Sequence, residues 1–138
     1  MRRSPFPPVR ASAHTRMKNG KVRKALADHG DNGATVRHVL HFLVKGDAAT
    51  CSRAEMAHEL RPHGFDIDLT KYGDGLVVEE YREVASADFD SLTQHLSNLA
   101  QDHGWHYDGF ECAVETAEPA APTRRWWQGF ALPQMLPK

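Results

Sequence analysis

The chain has 138 residues, enough for one domain with a modest core, and its 41% hydrophobic and 25% charged residues are the balance of a soluble globular protein. All 18 acidic residues lie between Asp28 and Glu118 with six Lys or Arg among them, so a net charge of −1 conceals a centre at −12 and two basic ends. These totals argue against a membrane span, which needs ~20 apolar residues in a run, and against direct nucleic-acid binding, because an acidic surface repels phosphate; a basic protein partner is favoured.

Residues 1–16 hold four arginines and no acid, and seven of the eight prolines lie in residues 1–8 or 119–137. The expected organisation is a basic, disordered extension over 1–17, a folded domain over 18–118 and a Pro/Trp-rich tail over 119–138. Met17 stands beside Met1 as a candidate natural start. No apolar h-region opens the chain, so no secretory signal is expected.

From Lys18, Val22, Leu26 and Ala27 predict a short helix stopped at "HGDNG". "TVRHVLHFLV" (35–44) is β-branched and apolar, a strand. Residues 49–61 carry Met56, Ala57 and Leu60 at helical spacing, closed by Pro62 and a left-handed Gly64. "FDIDLT" (65–70) and "LVVEEYREV" (76–84) read as a hairpin around "KYGDG". Ser86 is the expected N-cap of a helix striped by Phe89, Leu92, Leu96, Leu99 and Ala100. Gly104 ends that helix, and "WHYDGFECAV" (105–114) is the last strand.

The order β-α-β-β-α-β predicts an α+β, ferredoxin-like split-βαβ fold: a four-stranded antiparallel sheet, in order 4-1-3-2, with two helices on one face. Leu40, Phe42, Met56, Leu60, Leu92, Leu96, Leu99 and Phe110 are its expected core. The phrases "HGFDID" (63–68) and "HGWHYD" (103–108) then fall at equivalent joints, where each helix releases the chain into a strand through a glycine of positive φ.

Nine histidines invite a metal reading, but no Cys or His pair has zinc-site spacing, and His38 and His41 point to opposite faces of one strand. No nucleophile elbow or phosphate loop is present, so neither catalytic residues, metal nor cofactor are expected. Cys51 and Cys112 lie in apolar-periodic segments and read as buried free thiols of a reducing, cytoplasmic compartment. With Leu40, Phe42 and Val44 assigned to the helix side, the open sheet face receives Arg37, Val39, His41, Trp105, Tyr107 and Glu111. That face, with Asp108, is the expected partner-binding surface. The tail's "RRWWQGF" (124–130) is expected to dock Trp126, Trp127 and Phe130 on a folded domain, its own or that of a second copy in a homodimer. The competing reading is a small metal- or ligand-dependent enzyme using His41, Tyr107 and Asp108.

"GDNG" (30–33), the Arg37-Val39-His41 alternation, "HGF" and "YDGFE" (107–111) together resemble the RraB family, regulators of ribonuclease activity B, over about residues 20–116. Phe110 stands where that family usually has Trp, and "TRRWWQGFALPQMLPK" replaces its acidic C-terminal tail. The resemblance implies a ferredoxin-like fold and a small acidic cytoplasmic protein that binds and inhibits ribonuclease E without cleaving RNA.

Overall fold

The computed structural model describes residue 6, residues 9–69 and 73–115, and the backbone of 124–127. Helix α1 spans Ala13–Ala27, with Ser12 as N-cap accepting from the Thr15 amide. Strand β1 is Arg37–Lys45, and helix α2, Arg53–Leu60, opens on a capping box between Ser52 and Glu55. One 3-10 turn, Arg61–His63, admits Pro62 near its start and ends at Gly64. Strands β2 (Asp66–Asp68) and β3 (Leu76–Arg82) follow, then α3 (Ala87–Asp102) and β4 (Trp105–Val114). A short β5, Arg124–Trp127, closes the series.

Helix α3 is placed as the sequence predicts: the Ser86 hydroxyl accepts from the Phe89 amide, and Asp88 and Asp90 occupy the positive end of the helix dipole. Helix α1 begins five residues before Lys18, because Ser12 supplies a cap once the early prolines are passed. The segment before it is tied to α3. The Val9 amide bonds Ser91 Oγ at 2.8 Å, and the ring of Phe6 stacks on His95 with centroids 3.9 Å apart.

The sheet is antiparallel in every pairing, with order β2-β3-β1-β4-β5. Its first four strands follow the predicted 4-1-3-2 order, and β5 extends the β4 edge. One cluster joins Val22 and Leu26 of α1, Met56 and Leu60 of α2, and Phe89, Leu92 and Leu96 of α3. Against them it sets Val39 and Leu43 of β1, Val78 of β3, and Trp105, Phe110 and Cys112 of β4. Among the described residues three helices therefore cover one face of the sheet: the helix expected from Lys18 joins the two assigned to that face. Every expected core residue is buried except Leu99, which is partly buried against the cluster.

The two faces of β1 are exchanged relative to expectation. Leu40, Phe42 and Val44 form a smaller cluster with Val77 on the side away from the helices, while Val39 and Leu43 point into the main core. Strand parity allowed either choice. The wholly apolar set looked like the inside, yet the set containing Arg37 and His41 is inside because buried carboxylates are positioned to receive them.

The joints at Gly64 and Gly104 are as expected. Their φ values are +89° and +72°, and the aromatics that follow, Phe65 and Trp105, are both buried.

Candidate functional site

The residues expected on an open face lie largely inside. Arg37 is 2% exposed, His41 and Trp105 0%, and Glu111 1%; Tyr107 and Asp108 are intermediate. Arg37, His41, Trp105 and Tyr107 project beneath the helices, correcting the surface drawn from parity. Glu111 does register on the opposite face, beside Leu40.

A bulge in β4 explains the error there. His41 pairs with Phe110 and Leu43 with Tyr107, so Asp108 and Gly109 of β4 together oppose Phe42 of β1, and Gly109 at φ +102° takes up the excess. Side chains before and after the bulge then share the helix face: Trp105 and Tyr107, followed by Phe110 and Cys112. "YDGF" is this bulge.

His41 sits at the middle of the interior constellation. Its Nδ1 lies 2.8 Å from the Tyr107 hydroxyl, and its Nε2–H donates to Glu80 Oε2 at 2.7 Å. The other Glu80 oxygen accepts from Arg82 Nε at 2.7 Å, and Arg82 Nη1 reaches Asp88 at 3.6 Å. Phe89 and Phe110 pack around the imidazole with centroids 6.0 and 6.1 Å away. Both ring nitrogens of His41 are thus engaged, and its carboxylate partner is Glu80 where the enzyme reading used Asp108. Burial and the charge of Glu80 hold the Tyr107 phenol well above its usual pKa, so it stays protonated.

A second interior pair anchors the start of β1. Arg37 Nη2 donates to Asp31 Oδ1 at 3.0 Å and Arg37 Nη1 to the Ala113 carbonyl at 2.9 Å, while Asp31 also accepts from the Gly33 and Glu115 amides. Sequence reading missed Glu80 and Asp31. Glu80 shares strand parity with Leu76 and Val78, which was the available signal; Asp31 lies in a loop and offered none.

Burial alone would raise both carboxylates. For Glu80 the hydrogen bond and charge of His41, then those of Arg82, outweigh it; for Asp31 the hydrogen bond of Arg37 and two backbone amides do so. Both groups are therefore more acidic folded than unfolded, where they titrate near 4.5 and 3.8. Their contribution to stability is complete above those values and is lost progressively below them, as pH falls through the lower pKa values of the folded state. Urea unfolding should give a free energy that declines below about pH 4.5, with a shallower decline there in Glu80→Gln. An identical slope in that variant would remove Glu80 from the account.

Outside, a groove of about 410 Å³ opens where β1 begins and β3 and β4 end, lined by Val36, His38, Tyr81, Cys112, Ala113 and Glu115 together with Arg37. Val36 is 50% and Tyr81 60% exposed, and His38 stacks on Tyr81 while bonding Glu79 at 2.9 Å. Among the described residues no group of His, Cys, Asp and Glu has the arrangement of a metal site, and no helix is long and apolar enough to cross a membrane. Cys51 and Cys112 are free; burial pushes the Cys112 thiol up to about 12 and raises that of Cys51. The backbone of Trp126 and Trp127 pairs with Cys112 and Glu111 of the chain's own β4, and Phe130 lies outside the described residues.

Fold and site together define an α+β protein whose most organised polar constellation is enclosed scaffolding between a sheet and its helices. The chain belongs to the RraB family: the family model described as "Regulator of ribonuclease activity B" matches residues 16–112, which is 97 of the 138. No curated protein matches the chain closely enough to stand as a relative. The matched span contains β1 to α3 and most of β4, including His41, Glu80 and Tyr107, and stops before β5.

Proposed function

We propose that the protein is a non-enzymatic regulator that binds a ribonuclease of the ribonuclease E type in the cytoplasm and slows RNA degradation by protein contact. The family match over residues 16–112 carries this reading, since it names regulation of a ribonuclease. The acidic balance of −12 between Asp28 and Glu118 supports a basic protein surface as target, and free thiols suit a reducing compartment. The engagement of both His41 nitrogens inside the fold gives the competing enzyme reading no exposed imidazole.

The test is to titrate the purified chain into an RNA-cleavage reaction run by purified ribonuclease E. Cleavage should slow in proportion to occupancy, and the effect should weaken as salt rises, because surface charges are screened beyond about 8–10 Å at physiological ionic strength. The chain alone should leave RNA intact. An unchanged cleavage rate at saturating protein, or chelator-sensitive hydrolysis by the chain itself, would overturn the proposal.

A further inference from the structure

We propose that the outer edge of β4 over Glu111–Val114 is a strand-accepting site for an extended basic-aromatic segment of a protein partner, and that Arg124–Trp127 is its resident occupant. The inference rests on the regulator reading and says where such a partner docks.

The pairing itself is the first observation. Residues 124–127 run antiparallel to β4, with Trp127 opposite Glu111, Trp126 opposite Cys112, Arg125 opposite Ala113 and Arg124 opposite Val114. Main-chain hydrogen bonding holds an added strand of this kind, and it is indifferent to which chain supplies the strand. An edge that accepts one segment accepts another of similar chemistry.

The second observation is that the occupant is an appendage. The family match ends at residue 112, and β5 follows it across residues 115–123, a nine-residue connection containing Pro119 and Pro122. Four paired residues make a short strand, so its main-chain hold on the edge is confined to Glu111–Val114 and a competing segment has few bonds to replace.

Charge supplies the third. Asp108 and Glu115 of residues 105–115 are partly exposed and the stretch has no Lys or Arg, whereas the occupant begins Arg-Arg, with Arg124 opposite Val114 beside Glu115. The groove beside this edge shares Cys112, Ala113 and Glu115 with it, and exposed Tyr81 and Val36 form its far side, an apolar surface next to an acidic one. A segment that combines cations with aromatics, as Arg-Arg-Trp-Trp does, matches both.

The experiment uses the full chain and a fluorescein-labelled peptide with the sequence of residues 123–130, followed by anisotropy. Wild type, with its edge filled in cis, should bind the peptide weakly. The full chain carrying Arg125→Pro and Trp126→Pro, which removes two adjacent backbone N–H groups from the resident strand, should bind about ten-fold or more tightly than wild type. Trp126→Gly with Trp127→Gly, which weakens the strand while keeping every N–H, serves as a second variant and should shift affinity in the same direction. Peptides N-methylated at residues 124 and 126 or at 125 and 127 should differ, one pair losing binding and the other retaining it, as strand addition requires. Equal affinity in wild type and both variants, or equal binding of the two methylated peptides, overturns the site. No ribonuclease enters the measurement, so failure here leaves the regulator reading standing, and failure of the cleavage assay leaves this edge standing.

Discussion

Replacing Arg37 by alanine is expected to cost about 3–5 kcal/mol, a large part of the total stability of a domain this size. The guanidinium is buried with Asp31, and it also satisfies the Ala113 carbonyl at 2.9 Å. Removing it leaves a carboxylate whose side chain is 1% exposed without its cation, held by the Gly33 and Glu115 amides. The comparison that isolates this cause is a double variant, Asp31→Leu with Arg37→Met, which removes both charges and should recover most of the loss. Urea-unfolding midpoints measure both. If Arg37→Ala costs less than about 1 kcal/mol, the pair contributes no more than a surface ion pair.

Gly104→Ala is the second large effect, and it should exceed the same change at Gly64. Both glycines have positive φ, so each alanine incurs a conformational penalty of about 1–2 kcal/mol. At Gly104 there is a second cost. A β-carbon there would run into the Ala48 carbonyl and come within 2.8 Å of the Ala49 amide, in the loop that precedes α2. That loop is held in place by the Thr50 amide bonding the His103 carbonyl at 2.8 Å, so it has little room to retreat. Thermal unfolding of the two variants side by side should show Gly104→Ala lower by several degrees. Equal midpoints would mean that the loop yields without cost.

Several element boundaries were legible because their signals are local. Ser86 reads as a cap from its own neighbourhood, Gly64 and Gly104 mark helix ends, and the span of β4 agrees with its sequence pattern to the residue. Which side of β1 faces the helices was not legible, because that choice depends on Asp31 and Glu80, six residues before and thirty-nine after the side chains they hold. A hydrophobic count over "RHVLHFLVK" ranks the alternatives in the wrong order, since it charges the full burial cost of Arg37 and His41 without crediting their partners. The polar network at His41 was half visible, through Tyr107. Its other half lay in Glu80, which looks like one member of an acidic pair until the parity of Val78 is applied to it. The start of α1 was obscured by composition, since a Pro/Arg-rich opening hides the single serine that caps the helix.

The bulge at Gly109 also determines how β4 can be mispaired. A regular strand that slides by two residues along its neighbour keeps its inward and outward side chains, so such slips are cheap traps during folding. Here the strand changes phase at Asp108–Gly109. Sliding by two would set the extra residue opposite a different residue of β1 and pull Tyr107 and Phe110 away from their positions on either side of His41. The irregularity therefore works as a key cut into the strand: β4 and β1 fit in one register, and the neighbouring registers are excluded by shape as well as by hydrophobicity.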